Sequence, residues 1–233
     1  MERDKGDRAS VRVRTAKGRK TSSTRWLQRQ LNDPFVAEAK RLGYRSRAAF
    51  KLAELDDKHR FLKRGAVVLD LGAAPGGWTQ VAVARGARVV ALDVNEFPPI
   101  EGATVAVLDV FAPDALGRIK AMLGAPADVV LSDMAPPATG HRATDHARIL
   151  GLAEAALEIA RAVLAPGGTF VVKLWQGEYE PAFFATLKRD FAQVAREKPA
   201  ASRADSRETF IVASGFRGKP SPLEGEGRAE GAG

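Results

Sequence analysis

Ala66-Val67-Val68-Leu69-Asp70-Leu71-Gly72-Ala73-Ala74-Pro75-Gly76-Gly77-Trp78 decides the fold. Its first half is a short apolar run bounded by Gly65 and Gly72, the pattern of a strand buried on both faces of a parallel sheet. A loop of small residues follows, then a helical stretch over about 77–85. Arg88 to Val94, Ala103 to Val110, Ala127 to Ser132 and Gly168 to Leu174 repeat the strand pattern. Helical spacing fills the intervals over roughly 113–123, 144–164 and 181–189. Such alternation requires right-handed crossovers, so the expected class is α/β, a parallel sheet with helices on both faces. Ala165-Pro166-Gly167-Gly168 reads as a helix stop followed by a strand start, and Thr209 to Ala213 as one more strand.

Upstream, residues 26–64 read as a basic helical region, with Phe35, Ala39, Leu42, Ala48, Ala49, Leu52 and Leu55 at three- and four-residue spacings. Residues 1–25 are polar and basic and are expected to form a disordered arm. From Gly215 the chain is rich in Gly, Pro, Glu and Ser, so 215–233 is expected to be a disordered tail and 26–214 a single domain. A length of 233 residues with 45% hydrophobic content supports one core. The absence of cysteine excludes disulfides, zinc–thiolate sites and thiol nucleophiles, and suits a reducing compartment. No apolar run approaches the ~18–20 residues of a membrane helix, and the N-terminus lacks the apolar core of a secretory signal. A cytoplasmic monomer is expected. His59, His141 and His146 do not cluster, so no metal is expected.

The net charge of +8 is unevenly placed. Residues 1–64 carry nineteen basic against eight acidic side chains, while the remainder is net −3. A polyanion docking through the N-terminal quarter is the natural partner, with Arg45, Arg47, Lys63 and Arg64 as the expected phosphate contacts.

Ligands of such sheets bind beyond the carboxyl ends of the strands, where strand order reverses. The 72–78 loop lies there, and its small residues permit close approach to backbone N–H groups. The spacing is not G-x-G-x-x-G, so an amino-acid-bearing nucleoside fits better than a dinucleotide. Asp93, 21 residues after Gly72, ends the second strand where a carboxylate can accept from both ribose hydroxyls. Asp109 ends the third, within reach of an adenine amino group. The expected cofactor is S-adenosylmethionine, held by Gly72, Ala73, Pro75, Gly76, Gly77, Trp78, Asp93, Asp109 and Asp133. Trp78 has two readings, covering the pocket or packing between helix and sheet.

Chemistry points to four residues. Asp133 follows the fourth strand in Leu131-Ser132-Asp133-Met134-Ala135-Pro136-Pro137. Lys173 interrupts the apolar run Phe170-Val171-Val172-Lys173-Leu174-Trp175, where a charge is costly unless it faces a pocket. Desolvation of that kind suits a lysine to general-base work. Glu208 opens the last strand, and Lys51 lies in the basic region within Arg45-Ser46-Arg47-Ala48-Ala49-Phe50-Lys51. The structural readings are Lys51 as surface charge and Asp133 with Lys173 as a core ion pair, but burying two lysines and two carboxylates as mere structure gains little over apolar packing.

The stretches Arg45–Leu52, Leu69–Trp78, Ser132–Pro136, Val171–Gly177 and Ser206–Val212, in this order and spacing, resemble the FtsJ/RrmJ family of RNA ribose 2′-O-methyltransferases across about residues 30–214. The resemblance implies a Rossmann-like methyltransferase fold whose seven-stranded sheet is mostly parallel with its last strand antiparallel. It also implies a Lys-Asp-Lys-Glu tetrad, falling here on Lys51, Asp133, Lys173 and Glu208. Family members of this size modify a uridine in the peptidyl-transferase region of large-subunit (23S) ribosomal RNA, which makes the large ribosomal subunit the expected partner. Relatives acting on tRNA or an mRNA cap are the competing readings within the class. A nicotinamide-dependent oxidoreductase and a noncatalytic ribosome-assembly factor are those outside it. The former leaves Lys173 and Glu208 without a role, and the latter leaves the complete tetrad without one.

Overall fold

The computed structural model describes residues 31–137, 139–177, 180–203 and 206–218; the expected arm at 1–25, Trp26 and most of the expected tail lie outside them. Helices are α1 (Pro34–Arg41), α2 (Ala48–His59), α3 (Gly77–Ala84), α4 (Ala115–Leu123), α5 (Arg142–Val163) and α6 (Glu180–Asp190). Strands are β1 (Val67–Leu71), β2 (Arg88–Asp93), β3 (Ala103–Val107), β4 (Ala127–Ser132), β5 (Leu164–Trp175), β6 (Phe191–Glu197) and β7 (Glu208–Phe216). They form one seven-stranded sheet in the order β3-β2-β1-β4-β5-β7-β6. The neighbours β3 to β5 pair in parallel, and β7 runs antiparallel to both β5 and β6. Strand order reverses between β1 and β4, so the crevice past their carboxyl ends is the binding position of a doubly wound sheet.

Alternation along the strands sorts side chains into two cores. Leu69, Leu71, Val90, Val130, Phe170 and Val172 pack with α4, α5 and α6 on one face. Val68, Ala91, Leu131, Val171, Phe210 and Val212 pack with α2 and α3 on the other. Helix α5 shows why it belongs to the first core: its buried positions Asp145, Ile149, Ala153, Ala156, Leu157, Ala160 and Val163 follow a helical stripe.

Four boundaries depart from expectation. Strand β5 starts at Leu164, where it pairs with Ala127, so Ala165-Pro166-Gly167-Gly168 lies within the strand and not between helix and strand. The region 26–64 is not one helix: α1 ends at Arg41, a turn at Leu42-Gly43 follows, and α2 starts at Ala48. Strand β3 stops at Val107, so Asp109 lies in the loop beyond it. Strand β7 continues through Gly215 to Phe216, where the tail was expected to begin. Phe216 is buried beside Phe191, with ring centroids 5.3 Å apart, and that burial keeps the last residues in the sheet. Strand β6 is a further element the apolar patterning does not mark. It is an edge strand in which Phe191 alone is buried, so it carries no run of apolar residues.

Candidate active site

A cavity of about 620 Å³ opens at the carboxyl ends of β1, β2 and β4, lined among others by Gly72, Ala74, Asp93, Asp109, Asp133 and Met134. That volume suits a nucleoside-sized ligand. Four of the nine cofactor candidates, Gly72, Asp93, Asp109 and Asp133, line it. Gly72 has φ +74°, and a Cβ there would lie 2.7 to 2.9 Å from Met134, so only glycine permits the β1 and β4 loops to approach this closely. Asp93 closes the loop from within: its Oδ2 accepts from Ala74 N–H at 3.0 Å, and its Oδ1 from Asn95 N–H at 2.8 Å. Asp109 Oδ1 accepts from Phe111 N–H at 3.0 Å. Leu92, Leu108 and the exposed Phe111 add apolar wall.

The other loop candidates do different work. Trp78 is buried, donates from Nε1 to the carbonyl of Ala48 at 2.9 Å and packs on Phe210, so it ties α3 to α2 and the sheet and does not line the pocket. Ala73 is buried as well. At Gly76 a Cβ would meet Ile100 at 2.5 Å and the Arg45 side chain at 3.2 Å. Pro75, Gly76 and Gly77 thus form the outer side of the loop, toward the N-terminal segment.

The four catalytic candidates come together on the α2/α3 face. Register places Lys173 opposite Phe210, and Glu208 lies two residues before Phe210 on the same face of β7. Asp133 follows Ser132, which pairs with Val172, so it emerges beside Lys173. Lys173 Nζ donates to the Asp133 carbonyl at 2.5 Å and to Asp133 Oδ1 at 2.8 Å, with Lys173 only 7% exposed. Lys51, one turn into α2, reaches Glu208 Oε1 at 2.5 Å while its Nζ stands 5.4 Å from the Phe210 ring centroid. Glu208 Oε1 also accepts from Ser202 Oγ at 2.9 Å. Two largely desolvated ion pairs therefore flank one aromatic side chain, next to a cavity that Asp133 also lines. Breaking either pair from one side leaves a charge uncompensated.

Beneath them lies a carboxylate that strand patterning passes over. Asp70, in β1, is fully buried; Thr79 Oγ1 donates to its Oδ2 at 2.6 Å, and its Oδ1 has no partner among the described residues. Burial pushes its pKa up to about 7, the Thr79 hydrogen bond opposing and the charges of Asp133 and Asp93 assisting. Its signal was an isolated acid inside an apolar run.

The expected phosphate contacts divide. Arg45 donates to the carbonyls of Pro75, Pro98 and Pro99. Arg47 pairs with Asp33 and donates to the carbonyl of Ala201. Both guanidinium groups are spent on the protein. Lys63 and Arg64 are exposed and precede β1, so they stand at the opposite end of the sheet from the catalytic candidates, beside a cavity of about 550 Å³ that His59 and Arg60 also line. Among the described residues no group of His, Asp or Glu is placed to hold a metal ion, and no helix is long and apolar enough to cross a membrane.

The sequence profile of the FtsJ-like methyltransferases matches residues 44–216. Ribosomal RNA large subunit methyltransferase E of Xanthobacter autotrophicus is 58% identical over 220 residues, which covers 92% of this chain and 87% of that protein. The protein of the same name from Paramagnetospirillum magneticum is 58% identical over 217 residues, covering 90% and 89%. Among solved structures, a Plasmodium falciparum protein described as a ribosomal RNA methyltransferase superposes with a TM-score of 0.69 at 29% identity, covering 76% of this chain and all of that one.

Proposed function

The chain belongs to the FtsJ-like methyltransferase family, and from that premise we propose that it transfers a methyl group from S-adenosylmethionine to a ribose 2′-hydroxyl of large-subunit (23S) ribosomal RNA, on a uridine of the peptidyl-transferase region. One observation carries the reading: the Lys173–Asp133 and Lys51–Glu208 pairs flank Phe210, beside the 620 Å³ cavity that Asp133 lines. The cavity also fits the donor. Asp93 and Asp109 supply carboxylates for the ribose and the adenine amino group, and Leu92 and Leu108 supply apolar wall between them. S-adenosylmethionine, when bound, supplies an electrophilic methyl on a sulfonium that is already a good leaving group.

What remains for the protein is alignment and a more nucleophilic oxygen. Lys173 Nζ takes or steers the proton of the 2′-hydroxyl as the oxygen attacks in line. Asp133 holds that amine by two hydrogen bonds, so its lone pair or proton has a fixed direction. Lys51 lends positive charge that stabilises the developing oxyanion. Glu208, itself held by Ser202, fixes Lys51 in that place. The requirement for a 2′-hydroxyl makes RNA the acceptor. Lys63 and Arg64 hold phosphates well away from the reacting ribose, since the five residues of β1 alone span roughly 16 Å. A folded RNA can reach both places at once. The protein works in the cytoplasm as a monomer on the ribosomal subunit.

The test is transfer of labelled methyl to intact large subunits, free ribosomal RNA and tRNA, with the product mapped. Label on a 2′-oxygen of large-subunit RNA is the expected result. Label on a base, or on tRNA alone, overturns the proposal.

A further inference from the structure

Arg45 sits in the turn between α1 and α2, where a basic residue near the active site reads as a phosphate contact. Its side chain points the other way. Nη1 donates to the carbonyls of Pro98 at 2.5 Å and Pro75 at 3.3 Å, and Nη2 to that of Pro99 at 2.7 Å. Pro75 belongs to the β1–α3 loop, while Pro98 and Pro99 belong to the loop that leaves β2. Both loops line the cofactor cavity: Gly72 and Ala74 from the first, Asp93, Val94 and Asn95 from the second.

Prolines contribute no N–H, so Pro98 and Pro99 cannot hold their own loop through backbone donors. A guanidinium carries five donors in a fixed fork and can span several carbonyls. The arginine is itself anchored: its backbone N–H donates to Gln80 Oε1 at 2.8 Å, and Gln80 Nε2 donates to the carbonyl of Gly43 at 3.0 Å. Gly76 completes the arrangement, since a Cβ there would press on Arg45 Nη1 at 3.2 Å and on its Cδ at 3.3 Å. From inside the cavity the same two loops are joined by Asp93 accepting from Ala74 N–H. The Leu92 carbonyl also accepts from Gly72 and Ala73 N–H, so the strand ends are held together within, and Arg45 supplies the tie from without, at the prolines.

We propose that Arg45 is a positioning residue for the methyl donor, a clamp whose guanidinium sets the spacing of the two cavity walls, and that it is not an RNA phosphate contact. The assignment rests on the methyl-donor reading above.

The experiment uses the full chain and S-adenosylhomocysteine as the calorimetric probe. The Arg45→Ala variant is expected to bind it about tenfold more weakly or worse, as loss of several charge-assisted hydrogen bonds implies. KM for S-adenosylmethionine should rise in step, with kcat at saturating donor within about twofold. The salt slope of RNA binding should not change. Arg45→Lys should restore only part of the affinity, because an ammonium is a compact point charge that cannot span the three carbonyls; this variant decides the matter if the alanine variant does not fold. Probe affinity within twofold of wild type overturns the proposal. So does a salt slope shallower by about one, the mark of a lost phosphate contact. Failure of the wild-type chain to bind the probe at all would instead refute the function proposed above.

Discussion

Replacing Asp70 by asparagine should make the protein more stable at neutral and alkaline pH. Asp70 is fully buried with a single hydrogen-bond donor, Thr79, and two further carboxylates nearby. Its pKa is raised to about 7 in the folded chain, against ~3.9 when unfolded. Below pH ~4 both states hold the proton and stability is unaffected by this group. Between ~4 and ~7 the folded state keeps a proton that the unfolded state has released, so stability falls by ~1.4 kcal/mol per pH unit. The loss levels off above the folded pKa at about 4 kcal/mol, the full cost of burying the ionised group. Asparagine keeps the shape and a partner for Thr79 but does not titrate. Urea unfolding of both proteins at half-unit steps from pH 5 to 8.5 isolates the effect, because titrating groups distant from Asp70 cancel in the difference. The stability of Asp70→Asn relative to wild type should climb through pH 5–7 and then flatten. A difference constant to within about 0.5 kcal/mol across that range would show that Asp70 is ionised throughout and the reasoning wrong.

Other perturbations have equally definite outcomes. Lys173→Met should lower methyl transfer by ~10²–10⁴ while leaving donor affinity within a few-fold by calorimetry, since Lys173 meets Asp133 and does not line the donor cavity. Gly72→Ala forces a side chain onto a residue at φ +74° and within 2.7–2.9 Å of Met134, so thermal unfolding should show a loss of about 2 kcal/mol or more together with weakened donor binding. Neutralising Lys63 and Arg64 together should make the salt dependence of RNA binding shallower by about two, with donor affinity unchanged; an unaltered slope would remove that end of the sheet from the RNA footprint.

Much of this was legible before the structure. The apolar run at 66–71 and its four repeats mark the parallel core because buried strands must be apolar on both faces. Lys173 announces itself by breaking such a run. Other features lay beyond patterning. Strand β6 is an edge with one buried residue, and the antiparallel course of β7 came from family resemblance, because a strand's apolar content says nothing of its direction. Charge alone marks Arg45 and Arg47 as phosphate contacts, yet their acceptors lie 14 to 154 residues away in the chain. Asp93 and Gly72 were assigned by position at strand ends, which the topology fixes. Trp78 carried two readings, and they could be separated only by seeing Ala48 and Phe210 against its ring.

The insertion of β7 between β5 and β6 has a consequence for biosynthesis. Glu208 and Phe210 are translated after every other part of the site, yet they complete its floor and hold Lys51. A nascent chain cannot hold Lys51 in place, or complete either core, until its final strand has emerged. Until then β5 also keeps an unpaired edge. Synthesis thus delivers the residues of the donor cavity wall first and the strand that holds Lys51 last, so a chain terminated before β7 would carry the whole cavity lining and lack Glu208 and Phe210.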